Sequence, residues 1–315
     1  MRVLIVGASG FVGKHLIDNL LADGHDVHAC GVEPALSIPA VPPGHQHSGI
    51  DLLDSGSLRR LLEAARPEWI VHLAAQSSVA RSWENPVPTM RINIEGTINL
   101  LDAVRHLEMR PRILLVGSSE EYGKVEEAEN PIAETRHPAP MNPYAVSKYA
   151  QEQLGILYAK AYGMDIILTR SFNHFGPGQG RGFVVPDFCA QIVDIERGLS
   201  EPVIRVGNLD VYRDFTDVRD VVDAYRALLH KGVSGEVYNV GSGNDYCIRQ
   251  ILVDLLHLSL KKISYEVSPD KMRPVENIRI QADIGKINTS TGWIPKIGID
   301  ATLRDSLDYS RKATR

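Results

Sequence analysis

Val3-Leu4-Ile5-Val6-Gly7-Ala8-Ser9-Gly10-Phe11-Val12-Gly13 is the stretch whose reading decides the fold. Four consecutive apolar residues closed by glycine mark a strand buried on both faces, since a strand with one wet face alternates polar and apolar residues. Gly7, Gly10 and Gly13 follow in G-x-x-G-x-x-G spacing and open a helix, whose Leu16, Ile17, Leu20 and Leu21 share one side until Gly24 stops them. Strand, glycine turn and helix together make a phosphate site. The glycines permit a tight turn and close backbone approach, and the helix N-terminus supplies N–H donors at the positive end of its dipole. A plain structural turn is the alternative reading, and the placement directly after an N-terminal strand weighs against it. The spacing departs from the G-x-G-x-x-G of the simplest dinucleotide folds.

Outward from this unit, residues 27–30, 69–75 and 112–117 read as further short buried strands. Residues 58–66 and 92–108 carry helical spacing between them. Strands alternating with helices imply an α/β fold with a doubly wound parallel Rossmann sheet. After about residue 170 the pattern changes. Glycine and proline crowd 176–186 and 198–207, and single strands appear at 203–207 and 236–240. The expected division is a dinucleotide-binding domain over 1–171, rejoined by an amphipathic helix within 217–235. A smaller α+β nucleotide-sugar-binding lobe takes 172–216 and 236–315.

The chain has 315 residues, is 43% hydrophobic and 23% charged, and carries a net charge of −5. Such a chain buries a full core without disulfides. Cys30, Cys189 and Cys247 show no paired spacing and read as small apolar residues in a reducing compartment. The acidic balance argues against nucleic-acid binding, and the apolar start is too short for a signal or a membrane span. The expectation is a soluble cytoplasmic protein with no membrane partner.

Tyr144-Ala-Val-Ser-Lys148 begins a helix that Asn142 and Pro143 start well. Residues four apart stack one turn above each other, so a Lys148 ammonium would favour the Tyr144 phenolate and lower its pKa from about 10. An ordinary helix-surface pair has the same spacing. The run Val116-Gly117-Ser118-Ser119-Glu120-Glu121-Tyr122-Gly123 ends a strand, where parallel sheets bind ligands. For cofactor choice, Glu33 near the end of the second strand leans towards NADH over NADPH. Asp51 and Leu52 sit where an adenine amine could be bonded, with a cap or loop as the alternative for Asp51.

The glycine spacing, His72-Leu73-Ala74-Ala75, Ser118 ahead of Tyr122-Gly123, and Tyr144-x-x-x-Lys148 together resemble the extended short-chain dehydrogenase/reductases that act on nucleotide sugars. The likeness spans nearly the whole chain. It implies Ser118 as the catalytic hydroxyl, Tyr144 and Lys148 as the proton-transfer pair, and Asn93 as the family's asparagine on the central helix. It further implies NADH or NADPH held by Gly7, Gly10, Phe11, Val12, Gly13, Leu73, Ala74, Ala75, Asn93, Tyr144 and Lys148; no metal site is expected. Phe172-Asn173-His174, Gly207-Asn208-Leu209, Arg213-Asp214-Phe215 and Arg273-Pro274-Val275-Glu276 resemble the GDP-mannose branch of that family. A GDP-sugar substrate would then meet Ser118, Glu120, Asn173 and Val184, with Arg213 and Arg273 on its diphosphate and Glu276 on guanine or ribose.

The implied activity is reduction of the C4 ketone of GDP-4-keto-6-deoxy-D-mannose to GDP-D-rhamnose. Glu120, two residues before Tyr122, keeps the branch's 4,6-dehydratase in view, a lyase with retained NADP in which this glutamate takes the C5 proton. The stretch 31–48 lacks that enzyme's paired arginines, and Phe175-Gly-Pro-Gly178-Gln179 replaces its Glu-Ser-Pro-Arg-Arg run, which favours the reductase. A non-catalytic dinucleotide sensor on the same fold is the remote alternative, against which Ser118, Tyr144 and Lys148 are all present. The resemblance also implies a homodimer through the helices near 92–108 and 142–162.

Other polar residues have plainer readings. His45 and His47 form an H-x-H in an expected exposed loop, and His72 ends an apolar strand as a buried histidine. Glu126, Glu127 and Glu129 read as a solvated face, and Asp217 and Asp220 as caps of the returning helix.

Overall fold

The computed structural model describes residues 1–32, 45–271 and 277–313. Strands β1 (Arg2–Val6), β2 (Asp26–Gly31), β3 (His45–Gly49), β4 (Trp69–His72), β5 (Arg112–Ser118) and β6 (Ile166–Ser171) join Val237–Val240 in one seven-stranded sheet. Its order is Val237–Val240, β6, β5, β4, β1, β2, β3, and every pairing is parallel. Strand order runs outward from β1 in both directions, so right-handed crossovers lay helices on both faces.

The continuous apolar run of β1 follows from this. Val3 and Ile5 point into a core shared with the helices Phe11–Ala22 and Val218–Lys231. Leu4 and Val6 point the other way, under the helices Ser55–Ala65 and Gly96–His106. Each such side chain, fully buried, contributes about 1.5–3 kcal/mol. Ser55–Ala65 starts where Asp54 accepts the Ser57 N–H at 3.1 Å and stops at Arg66, which takes a left-handed conformation.

The smaller lobe is built around the strand Tyr212–Asp217, flanked by Asp245–Cys247, Arg279–Ile280 and Asn173–Phe175. Val203–Val206 pairs separately with Ser264–Val267. The helices Val184–Glu196, Ile248–His257 and Ile299–Ala313 close its own apolar core.

Two expectations change. Val237–Val240, read as lobe, is the outer strand of the large sheet beside β6, and Ile287 and Trp293 beyond it join the β1 core. The returning helix delivers the chain to that edge, where a parallel strand completes the sheet; four residues carry no local mark of which sheet they enter. His47 lies in β3, paired with Ala29, and not in an exposed loop. An edge strand has one open side and needs no apolar run, so its sequence reads as a loop.

Candidate functional site

Gly7 ends β1 with φ of 91°, and a Cβ there would sit 2.5 Å from the Ala74 backbone nitrogen. That approach is fixed from both sides. Leu73 and Ala74 N–H donate to the Val6 carbonyl at 2.8 and 2.9 Å, and Gly7 and Ala8 N–H donate to Cys30 O at the same distances. A Cβ at Gly13 would lie 2.4 Å from Ala8 O, so that glycine lets the helix close on the turn. Gly10 caps Phe11–Ala22 with no side-chain bond, and the first turn has no acidic residue. An uncapped, acid-free helix start beneath a turn with glycine at both ends fits a dinucleotide pyrophosphate. Phe11 faces His174 of the smaller lobe with ring centroids 6.5 Å apart, and Val12 packs against the β1 core.

Asp51 is exposed, and its carboxylate accepts the Leu53 N–H at 2.9 Å, closing a turn. Leu52 is buried against Gly96, and its carbonyl accepts from Asn99. Asn93 lies fully buried in a π turn, Arg91–Glu95, that precedes Gly96–His106. Its Oδ1 accepts from Gln76 N at 2.8 Å and its Nδ2 donates to Ser147 Oγ at 2.8 Å. Asn93 thereby ties the loop after β4, which includes Ala75, to the helix carrying Tyr144 and Lys148. π turns recur at functional sites because the widened turn frees side chains for such links.

That helix, Pro143–Tyr162, begins with Asn142 accepting the Ala145 N–H at 2.8 Å and ends at Gly163, φ 62°. Tyr144 is buried, and its pKa responds to the Ser118 hydroxyl at the C-terminal end of β5. Ser118 Oγ accepts the Glu120 N–H at 3.2 Å. Glu120 is half-exposed and accepts from Asn142 Nδ2 at 2.9 Å.

The pKa expectation for Tyr144 is reversed. Burial raises it above the usual phenol value, Ser118 lowers it in part, and Glu121 and Glu120 raise it further. Desolvation outweighs any neighbouring cation at this depth. Lys148 points its Nζ to Gln151 Oε1 at 2.9 Å, and burial pulls its pKa down to about 8, against the opposing pull of Glu121.

Behind these groups lies a buried charged cluster. Glu121 Oε1 accepts the Ser118 N–H at 2.7 Å, and Oε2 lies 3.8 Å from Arg170 Nε. Burial first, then Glu152, pushes the Glu121 carboxyl well above the usual range; the Ser118 N–H, Arg170 and Lys148 oppose the rise. Arg170 grips Glu152 through two bonds of 2.8 Å and covers the Tyr122 ring at 4.8 Å. Tyr122 OH donates to Asn239 Oδ1 at 2.7 Å. Sequence reading quoted Glu121 and gave it no role. The one available signal was a second carboxylate beside Tyr122, and nothing local shows that it points inward.

A cleft of about 320 Å³ opens at this end of the sheet, between Ala75, Gln76 and Arg81 on one wall and Arg181, Gly182 and Phe183 on the other. Val184 begins the helix just beyond Phe183. Arg81 and Arg181 are basic groups that sequence reading missed. A smaller hollow of about 200 Å³, near Arg2 and His28, lies at the opposite strand ends, away from Ser118. Asn173 is exposed and opens the strand beside Phe215. Arg213 Nη1 donates to the Tyr212 and Asn277 carbonyls, each at 2.8 Å. Glu33, Arg273 and Glu276 lie outside the described residues.

A dinucleotide cradle at the first turn, with a serine, tyrosine and lysine at the neighbouring strand end, defines an NAD(P)-dependent oxidoreductase of the extended short-chain class. The chain belongs to the GDP-mannose 4,6 dehydratase family, whose family model matches residues 4–306. It is 38% identical to a GDP-6-deoxy-D-mannose reductase of Pseudomonas aeruginosa, over 96% of this chain and 95% of that one. It is 29% identical to a GDP-mannose 4,6-dehydratase of Vibrio cholerae, over 95% of this chain and 90% of that one. Among solved structures, RMD from Pseudomonas aeruginosa complexed with NADPH superposes with a TM-score of 0.88 at 36% identity, covering 99% of this chain and 100% of that one.

Proposed function

We propose that the protein reduces the C4 ketone of GDP-4-keto-6-deoxy-D-mannose to GDP-D-rhamnose, with NADH or NADPH, as a cytoplasmic homodimer. The observation that carries this reading is the buried Tyr144 phenol, one helical turn from Lys148 on the helix packed over β5, whose carboxyl end carries Ser118. Such a phenol keeps its proton at neutral pH and has one to give. Ketone reduction needs that proton on the carbonyl oxygen.

When bound, the nicotinamide supplies the hydride. Gly7, Gly10, Phe11, Val12 and Gly13 would hold its pyrophosphate, with Leu73, Ala74 and Ala75 alongside and Asp51 and Leu52 towards the adenosine. Ser118 Oγ orients the carbonyl oxygen, and Tyr144 delivers its proton there. Lys148, charged below about 8, stabilises the phenolate left behind. Asn93 positions the Tyr144 helix through Ser147. Asn173, Val184 and Arg213, with Arg273 and Glu276, are assigned to the GDP-sugar. Similarity to the Pseudomonas reductase supports this choice, as do similar solved structures with NADPH or, in a Thermus thermophilus UDP-glucose 4-epimerase, NAD.

Tyr144→Phe tests the assignment. Loss of a general acid should lower turnover by about 10²–10⁴-fold with cofactor affinity nearly unchanged, and wild-type rates would refute the role. The substrate is tested with GDP-mannose alone and, separately, the 4-keto-6-deoxy sugar nucleotide plus NADH or NADPH. Cofactor oxidation only in the second mixture supports the reductase; water loss from GDP-mannose without net redox would assign the lyase, with Glu120 as its base. The exposed Val146, Leu157 and Tyr162 on Pro143–Tyr162 support the dimer. Among the described residues no helix is long and apolar enough to cross a membrane. Light scattering showing only monomer would refute the dimer.

A further inference from the structure

At the N-terminal strand ends, opposite Ser118, three potential ligands converge that the reduction does not use. Asp23 ends the helix Phe11–Ala22, His25 precedes β2, and His230 lies in the last turn of Val218–Lys231. We propose that Asp23, His25 and His230 form a binding site for a zinc-class divalent metal ion. It lies far from the dinucleotide cradle and adds a metal site that the sequence reading did not expect.

Asp23 Oδ2 lies 3.2 Å from His25 Nε2 and 3.9 Å from His230 Nε2, and the three ligand atoms fall within 4.8 Å of one another. Tetrahedral bonds of about 2.0–2.1 Å place ligand atoms about 3.3–3.5 Å apart, so closing on an ion takes only small shifts. The rings are already held. Trp69 packs against His25 with centroids 4.9 Å apart and meets His230 edge-on at 4.7 Å. The His25 side chain is nearly buried, while His230 is about half-exposed and leaves a fourth position for water.

The carboxylate is aimed as well. Arg226 takes the other oxygen of Asp23 at 3.1 Å and reaches Asp223 at 2.9 Å; Asp223 in turn accepts from Asn19. One guanidinium shared by two carboxylates leaves a net negative charge beside the imidazoles. It also leaves Oδ2 of Asp23 facing them, the kind of outer-shell support that orients metal ligands. Two imidazoles and one carboxylate suit zinc and its neighbours better than magnesium, which prefers oxygen-only sites. Bound metal would pin the turn before β2 to the end of the returning helix, so it should stabilise the fold by linkage.

The test uses the full chain after chelator treatment, titrated with ZnCl₂ by calorimetry and thermal unfolding, with MgCl₂ in parallel. The expected result is one Zn²⁺ per chain with a raised Tm and no response to Mg²⁺. His230→Ala and Asp23→Asn should each weaken Zn²⁺ binding by about tenfold or more. Absence of Zn²⁺ binding at micromolar concentration overturns the proposal. So does binding that survives both substitutions, or binding lost in Cys247→Ser, which would place the ion on a thiol.

Discussion

Replacing Glu121 with glutamine isolates what the buried carboxylate does for Lys148. The amide oxygen still accepts the Ser118 N–H, so the 2.7 Å bond that fixes the strand end survives while the charge goes. That charge raises the Lys148 pKa against burial, and the balance now stands at about 8. Removing a neighbouring opposite charge lowers a pKa by about one unit or more. With Lys148 near 7 in place of 8, the protonated share at pH 8.5 falls from about a quarter to about 3%, roughly eightfold.

If charged Lys148 supports the phenolate, kcat/KM for ketone reduction in wild type should decline above about pH 8. The declining limb in Glu121→Gln should begin about one unit lower, with rates converging at low pH. The assay is cofactor oxidation across pH 6–9.5 in constant ionic strength buffer. A limb that stays in place while activity falls evenly at all pH values would refute the electrostatic role and leave Glu121 a structural residue.

Three other substitutions probe the scaffold. Gly7→Ala puts a Cβ 2.5 Å from Ala74 N, whose bond to Val6 O keeps it from yielding, at a φ unfavourable to L-residues; cofactor affinity by fluorescence titration should fall at least about tenfold, with about 1–2 kcal/mol of stability lost. His72 is fully buried beside Thr97, and burial holds its pKa at about 3. The unfolded imidazole takes its proton near 6.5 and the folded one does not, so stability is full above 6.5 and is lost as pH falls towards 3. Denaturant unfolding should show about 2 kcal/mol less stability from this group at pH 5 than at pH 7, and His72→Gln should remove that part of the slope. Asp214→Ala orphans the Ser242, Gly243 and Ala282 N–H donors, while the Ser242 hydroxyl keeps Asn244; the loss should cost about 3–5 kcal/mol in the same assay.

Asp214 shows where reading by residue stops. In sequence it sits in the Arg213-Asp214-Phe215 run as a neighbour of the arginine assigned to the diphosphate. In the fold it is fully buried and holds the loop at 241–243 against the central strand of the smaller lobe, which no spacing reveals. Glu121 and Glu120 are adjacent and chemically alike, yet one faces the charged cluster behind Ser118 and the other faces solvent.

What the sequence determined by itself is local: the doubly buried β1, the glycine turn that needs φ above zero, and the helix start at Asn142-Pro143 that stacks Lys148 over Tyr144. Those features follow from backbone sterics and from apolar periodicity, which act within a few residues. Tertiary structure decided which sheet Val237–Val240 completes, which acidic side chain is buried, and the direction of the Tyr144 pKa. The physical reason is solvation. Whether a lysine one turn away lowers a phenol's pKa depends on how much water remains around both, and distant segments of the chain, packed over β5, remove that water.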